Sequence, residues 1–216
     1  MPVTLDLSKE VKLDLTKGTT LDLSKGSFIN LSKNNLDGVK LRAGAGWNTK
    51  LVKSGFFGVG TRELNVDLDL CAICYDKYGN LVTSVYFGHK NAEGIQLDKD
   101  DLKGSSGRID INRMCNSTAK DNENMIINLS KVSSKIEQID IQVCIYNDYT
   151  YEDIDNAYCK LVDTTNNKVL CSVKLQNTGG RNRTVKMASL KKTAEGWVFE
   201  SLKEFEPYKI GHYVNQ

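Results

Sequence analysis

The segment LNVDLDLCAICYDKYGNLVTSVYFG, residues 64–88, carries a clear secondary-structure signal. Its first half, Leu64–Tyr75, begins with strict alternation of apolar and polar side chains, and this period predicts a half-buried strand. Asp76–Asn80 has the composition of a tight turn. Leu81–Gly88 then predicts the antiparallel partner, so that the whole segment forms a β-hairpin.

The rest of the chain repeats this arrangement of short strands and turns. Ile139–Tyr146 alternates strongly, residues 89–124 form a polar and acidic connection, and a short helix is predicted at Tyr151–Ala157. Regular short strands predict an all-β sandwich of mostly antiparallel strands with short helical connections. The other predicted strands are Val39–Arg42, Met125–Leu129, Ala157–Val162, Lys168–Leu175, Thr184–Lys191 and Gly196–Leu202.

An eight-residue repeat occupies the N-terminus as an extension of short strand repeats. Its units are Leu5–Lys9, Leu13–Lys17, Leu21–Lys25 and Ile29–Lys33. Each unit alternates apolar and polar side chains, and four such units cannot bury their apolar face alone. Two interpretations stay open: the last one or two units are edge strands of the main domain, or the extra units pair with a neighbouring subunit.

Charge and hydropathy exclude several classes of protein. The 216 residues include 29 Lys and Arg against 27 Asp and Glu, which leaves a net charge of only +2 and no basic footprint for nucleic acid. Apolar runs of signal-peptide or membrane-spanning length do not occur in the sequence. We therefore expect a cytoplasmic protein with no nucleic-acid partner and no membrane span.

Six cysteines raise the question of zinc or redox chemistry, because Cys71 and Cys74 form a CxxC pair. Residues three apart on a strand point to opposite faces of the sheet, so these two thiols would not share a ligand. The sequence has no second CxxC and no paired histidines to complete a zinc site. We expect buried free thiols instead.

Acidic residues gather at three places. Asp67 and Asp69 alternate with apolar residues, so their carboxylates share one face of the strand about 7 Å apart. The segments Asp98–Gly104 and Asp121–Glu123 are acidic loops. Such pairs repel unless a cation or a partner neutralises them, and Ca²⁺ prefers six to eight oxygen ligands. Acidic loops are also commonly solvated, so both interpretations stay open.

Residues from about Leu21 to Leu202 resemble the TerD family of tellurium-resistance and stress proteins. No single motif is decisive, and the resemblance rests on the order of several motifs along the chain. These are Leu21–Gly26, Gly46-Trp47, Asp67–Ala72, Asp100–Gly104, Asp121–Glu123, Asn156-Ala157, Leu161–Asp163 and Trp197–Phe199. The resemblance implies a domain at 21–205, between an extension at 1–20 and a tail at 206–216.

The resemblance also implies a β-sandwich that binds Ca²⁺ through its acidic segments. The implied ligands are Asp67, Leu68, Asp69, Asp100, Asp101, Gly104, Asp121 and Glu123. Gly104 would let a main-chain carbonyl approach the ion. Three features depart from the family pattern: Asn48 and Asn122 stand where the family has aspartate, and the loop between Gly104 and Asp121 is longer.

Catalytic signatures are missing from the sequence. His89 and His212 are its only histidines, and neither lies in a nucleophile–base motif. We therefore expect a non-catalytic calcium-binding module of a bacterial stress-response or tellurite-resistance system that acts through protein partners. The alternatives are a structural protein that assembles as a homo-oligomer through its N-terminal repeats, or a small-ligand domain of the cyclic-nucleotide-binding type.

Overall fold

The computed structural model of the chain describes residues 25–31, 40–54, 60–107, 109–165, 167–175 and 181–207. Fourteen strands lie within these ranges. They are β1 Phe28–Asn30, β2 Lys40–Asn48, β3 Lys50–Lys53, β4 Thr61–Leu64, β5 Leu68–Tyr75, β6 Leu81–Val85, β7 Asn91–Ala92, β8 Ile95–Leu97, β9 Glu123–Asn128, β10 Gln138–Ile145, β11 Asp155–Asp163, β12 Lys168–Lys174, β13 Thr184–Thr193 and β14 Gly196–Glu206.

Two open sheets form a sandwich, as the sequence predicts. Sheet A has the strand order β1-β14-β13-β10-β5-β6, and sheet B has the order β12-β11-β2-β9-β8-β7. A separate ribbon pairs β3 with β4. All pairings between these strands are antiparallel.

The hydrophobic core lies between the two sheets. Ile139, Ile141, Val143 and Ile145 of β10 are fully buried in it, which confirms the alternation predicted for this segment. Sheet B contributes the opposite wall, for example through Met125 of β9. Burial of such side chains supplies the main favourable term in the stability of the fold.

The cysteines confirm the prediction of buried free thiols. All six are buried, and none forms a disulfide. Cys74 packs in the core between the sheets, whereas Cys71 packs with Ile73 and Cys144 in a separate cluster outside it. Positions 71 and 74 of β5 thus face opposite sides of sheet A, as the strand period requires.

The strand predicted at Leu64–Tyr75 is broken into two. β4 ends at Leu64, which pairs with β3, and β5 begins at Leu68, which pairs with β10. Between them the Val66 N–H donates to the Leu64 carbonyl at 3.2 Å. The segment therefore leaves the ribbon, turns and enters sheet A, and Asp67 lies at the start of β5 instead of inside a continuous strand.

The strand predicted at Val39–Arg42 extends through two glycines as far as Asn48. A Cβ atom at Gly44 would lie 2.1 Å from Oδ2 of Asp121, and one at Gly46 would lie 2.4 Å from the Tyr158 hydroxyl. Glycine inside a strand commonly marks a close approach of this kind. These residues therefore belong to a strand that is tightly covered on one surface.

Helical segments also differ from the prediction. The polar connection contains a short helix, α1 Ile111–Cys115, whose N-cap Asp110 accepts hydrogen bonds from the second and third N–H groups that follow it. The helix predicted at Tyr151–Ala157 is only a 3-10 turn, Tyr151–Asp153, because β11 already begins at Asp155.

The fourth N-terminal repeat forms the edge of sheet A. Ile29 and Asn30 of this unit, with the preceding Phe28, make up β1, which pairs with β14, and Ile29 and Leu31 are fully buried. For this unit the edge-strand interpretation is confirmed. The first three units, apart from Lys25, lie outside the described residues, so their pairing with a neighbouring subunit stays a prediction, as do the predicted domain boundaries.

No helix in the described part of the chain is long and apolar enough to cross a membrane.

Alanine at Gly46 is expected to destabilise the fold by about 1–3 kcal/mol, the usual cost of overpacking, because its Cβ would overlap the Tyr158 ring. Gly107→Ala is the matched control, since nothing lies within 4 Å of a Cβ there, and a change within about 0.5 kcal/mol is expected. Urea unfolding measures both variants. Equal effects would contradict the close contact over β2.

Candidate metal centre

Three carboxylates meet at the start of β5. Asp67 precedes the strand, Asp69 is its second residue, and Asp100 comes from the loop that follows β8. One oxygen of each lies within 4.8 Å of one oxygen of the other two. The sequence predicts the first two as neighbours, and the fold brings the third to them from a segment about thirty residues away.

Part of the negative charge in this cluster lacks hydrogen bonds. Oδ1 of Asp67 and Oδ1 of Asp100 are buried and accept no hydrogen bond from any described residue. Burial, reinforced by the charges of Asp100 and Asp101, raises the pKa of Asp67 to about 6. The cluster thus has the electrostatic character of a site that requires either protons or a cation.

Glu123 lies directly behind the three aspartates and is fully buried. Its Oε2 accepts the Leu70 N–H at 2.8 Å, and its Oε1 accepts the Asp101 N–H at 3.0 Å. The carboxylate therefore ties β5 to the acidic loop. Burial raises its pKa to about 9, against the effect of these hydrogen bonds, and the charges of Asp69 and Asp100 act in the same direction as burial.

Asp101 serves the loop itself. Its carboxylate accepts hydrogen bonds from the Lys99 ammonium at 2.9 Å and from the Gly104 N–H at 3.0 Å. Burial tends to raise the pKa of Asp101, but these bonds outweigh it, and the pKa lies below its usual value. Of the carboxylates in this loop, Asp101 shapes the turn and Asp100 joins the cluster.

Trp47 holds the two acidic segments together. Its indole N–H donates to the Val66 carbonyl at 2.9 Å. Gly104, at a φ of 75°, packs on the same pyrrole edge of the ring, where a Cβ would lie 2.5 Å from the indole Cδ1 and Nε1. Leu68, also among the predicted ligands, has its side chain in the core and can offer only its carbonyl oxygen.

Asp121 is drawn into a different cluster. Its carboxylate forms a fully buried ion pair with Lys160 at 2.9 Å and accepts a hydrogen bond from the Tyr158 hydroxyl at 2.5 Å. The same ammonium donates to the carbonyls of Met114, Ser117 and Ala119 at 3.1, 2.7 and 3.1 Å. Lys160 thus supplies the cation for this carboxylate and anchors the long loop that contains α1.

Sequence reasoning missed Lys160. The only available signal was a lysine inside the apolar strand Ala157–Val162, flanked by Cys159 and Leu161. A charged residue at such a position is rarely fully buried unless it is paired. Nothing in the local sequence indicated that its partner would be Asp121.

Two asparagines, Asn48 and Asn122, which the resemblance predicts in place of family aspartates, act as hydrogen-bond donors. The Asn48 amide donates to the Ser105 carbonyl at 2.7 Å and to the Gly107 carbonyl. The Asn122 amide donates to the Ser105 hydroxyl at 3.0 Å, while its oxygen accepts a hydrogen bond from the main-chain N–H of Trp47 at 3.1 Å. A carboxylate cannot donate, so these side chains suit loop fixation better than metal binding.

Comparison with known proteins matches residues 19–207 to a family model described as the TerD domain. The chain is 24% identical to the tellurium resistance protein TerZ of Serratia marcescens over 76% of its own length and 78% of that protein. It is 25% identical to the stress response protein SCP2 of Bacillus subtilis, over 76% of its own length and 82% of that protein.

A solved structure has the same fold. It is the crystal structure of a homologue of the telluride resistance protein TerD, SCO6318 from Streptomyces coelicolor A3(2), with a TM-score of 0.62 at 16% identity. The match covers 81% of this chain and 94% of that one.

Without metal, the stability of the protein is expected to fall as pH rises. In the unfolded chain Asp67 has its ordinary pKa of 3.8, but in the folded protein it keeps its proton to about pH 6. For Glu123 the corresponding values are 4.5 and about 9. The folded state binds more protons across these windows, so the free energy of unfolding decreases with pH. Melting in chelator between pH 4 and 9 measures this trend. Asp67→Asn should make the melting temperature less dependent on pH between pH 4 and 6. An unchanged slope in this range would contradict the raised pKa of Asp67 as its cause.

Lys160→Met is expected to lower the free energy of unfolding by about 3–5 kcal/mol, because it leaves the buried Asp121 carboxylate without its ammonium partner. Lys192→Met is the control, since its ion pair with Glu137 spans 3.7 Å at the surface and is worth at most about 1 kcal/mol. Urea unfolding compares the two variants. A loss below about 1 kcal/mol for Lys160→Met would rule out a stabilising role for the buried pair.

Proposed function

The chain belongs to the TerD domain family, and from that premise we propose that it is a non-catalytic, calcium-binding module of a bacterial stress-response or tellurium-resistance system. The ion is held at the cluster of Asp67, Asp69 and Asp100, with Glu123 behind it. The module works in the cytoplasm and acts through protein partners.

The observation that carries this proposal is the convergence of three carboxylates within 4.8 Å of one another. At that separation two unit charges repel by roughly 3.5 kcal/mol in a medium of effective dielectric constant of about 20. Buried oxygens of Asp67 and Asp100 that accept no hydrogen bond from a described residue add to the cost. A divalent cation removes the repulsion and satisfies these oxygens at the same time.

The donor atoms favour Ca²⁺ over other biological cations. The cluster offers carboxylate oxygens, and its three members include neither cysteine nor histidine, the ligands that zinc prefers. Ca²⁺ accepts six to eight oxygens in irregular geometry, whereas Mg²⁺ requires a near-octahedral site and usually keeps several waters. A site divided between a strand and a loop suits the more tolerant ion.

The loop that carries Asp100 also offers a surface for a partner. Leu102, between Asp101 and Gly104, is 56% exposed, which is unusual for a large apolar side chain in an acidic loop. The Asp101 N–H connects this turn to the cluster by donating to the Glu123 carboxylate at 3.0 Å. Ordering of the loop by the ion would present Leu102 in one orientation, and partner binding would then depend on calcium.

Calorimetric titration of the chelator-treated protein with CaCl₂ tests the proposal. Saturable binding is expected, and Asp67→Asn with Asp69→Asn should weaken it at least about 100-fold, because fewer carboxylates lower calcium affinity. Asp148→Asn is the control for loss of an exposed carboxylate, since this side chain is 98% exposed and is not a member of the three-carboxylate cluster, and its titration should equal that of the parent.

Two outcomes would reject the calcium site. Absence of heat up to millimolar calcium in the parent protein would mean that the carboxylates are neutralised by protons alone. Unchanged binding in the double variant would move the ion to another acidic segment.

A further inference from the structure

Four nearly identical segments of the N-terminus could compete for one position in sheet A. The position is the edge of β14, where Ser27–Leu31 lies in the structure, with β1 in register with residues 198–200. Hydrogen bonds from the Gly26 N–H to the Ser201 carbonyl at 2.7 Å and from the Leu31 N–H to the Trp197 carbonyl at 2.9 Å complete the pairing. Main-chain bonds of this kind do not depend on side-chain identity.

The two core positions of the unit do not distinguish the four copies. Ile29 and Leu31 are fully buried in the core. Eight, sixteen and twenty-four residues earlier the same two positions are always leucine, namely Leu21 and Leu23, Leu13 and Leu15, and Leu5 and Leu7. At these two core positions every unit therefore offers a large aliphatic side chain.

Chain connectivity does not fix the register either. Eight residues separate Leu31 from Lys40, the first residue of β2. A slip by one unit would lengthen this connection to sixteen residues. The entropic cost of closing a loop grows with the logarithm of its length. Doubling this connection would therefore change the equilibrium between the two registers only about threefold.

Asn30 is one position at which the fourth unit differs from the rest. Its amide nitrogen donates to Oε2 of Glu195 at 3.1 Å, and the side chain is buried to 5% exposure. The equivalent residues of the first three units are Asp6, Asp14 and Asp22. Each would place a buried carboxylate against the carboxylate of the exposed Glu195, and the two like charges would repel.

Phe28, immediately before the fourth unit, is the second position that differs from its equivalents in the first three repeats. It is only 3% exposed. The equivalent residues are Thr4, Lys12 and Thr20, which are smaller or charged. Burial of a phenylalanine is favourable, whereas burial of a lysine without a partner is costly.

We propose that the edge of β14 is a strand-binding position that accepts the fourth repeat and excludes the first three, with Phe28 and Asn30 as the selecting residues. The carboxylate of Glu195 destabilises pairing of the units that carry aspartate in place of Asn30. Burial of Phe28 stabilises pairing of the fourth unit, which it immediately precedes. The register of a chain segment with eight-residue periodicity is thereby fixed by two side chains.

An exposed ion pair reports the register directly. Lys25 Nζ lies 3.4 Å from Glu204 Oε1, and both side chains are accessible. A slip by one unit would bring Lys17 to the same place.

Zero-length carbodiimide coupling of the full chain, followed by peptide mass spectrometry, should give the Lys25–Glu204 product in the parent. The swapped variant Thr20→Phe, Asp22→Asn, Phe28→Thr, Asn30→Asp should give mainly Lys17–Glu204, with at least a tenfold change in the product ratio.

A second pair of variants covers the case in which the swapped chain does not fold. Asn30→Asp alone should lower the Tm by about 4 °C, and Glu195→Gln in that background should restore most of it, because glutamine can donate to the new carboxylate. Lys25–Glu204 as the main product of the swapped chain, or no restoration by Glu195→Gln, would overturn the proposal. So would products that join two chains in a mixture of isotopically labelled and unlabelled protein, since a second copy would then fill the position.

Discussion

Repulsion among the carboxylates of Asp67, Asp69 and Asp100 is the constraint around which this end of the sandwich is built. The strand break between β4 and β5, the indole of Trp47 and the turn closed by Gly104 all hold two acidic segments close together. Glu123 adds a fourth carboxylate, which is fully buried and bonds to both segments. Hydrophobic burial supplies the stability that lets the fold maintain such a concentration of like charge.

The molecule neutralises buried acid in two different ways. Asp121 receives a permanent cation from the chain, because Lys160 binds it and three carbonyl oxygens of the α1 loop. Asp67 and Asp100 keep buried oxygens that accept no hydrogen bond from a described residue. The first arrangement fixes a loop with a cation from the chain itself, whereas the second responds to what the solution provides, whether protons or Ca²⁺. This difference makes the β5 cluster the functional candidate and the Asp121 cluster a structural one.

Sequence predicts the parts of this structure that depend on local period. Alternation at Ile139–Tyr146 and the hairpin turns follow from side-chain pattern alone, and the pairing of Asp67 with Asp69 follows from the strand period. Which other acids join them depends on tertiary packing. Asp100 and Asp101 are adjacent in sequence, yet one enters the cluster and the other closes its own turn. The Lys160 partner and the glycines beneath Asp121 and Tyr158 likewise become meaningful only once β2 and β11 are paired.

An anomalous-scattering experiment addresses the calcium site most directly. Crystals of the protein would be grown with Ca²⁺ and soaked in Tb³⁺, a lanthanide of similar size and oxygen preference. The anomalous signal would then give the position of the bound ion without a measurement of its affinity. The account predicts an anomalous peak bounded by the carboxylates of Asp67, Asp69 and Asp100. A strong peak at the Asp121–Lys160 cluster, or ordered carboxylates at β5 with no peak between them, would contradict it.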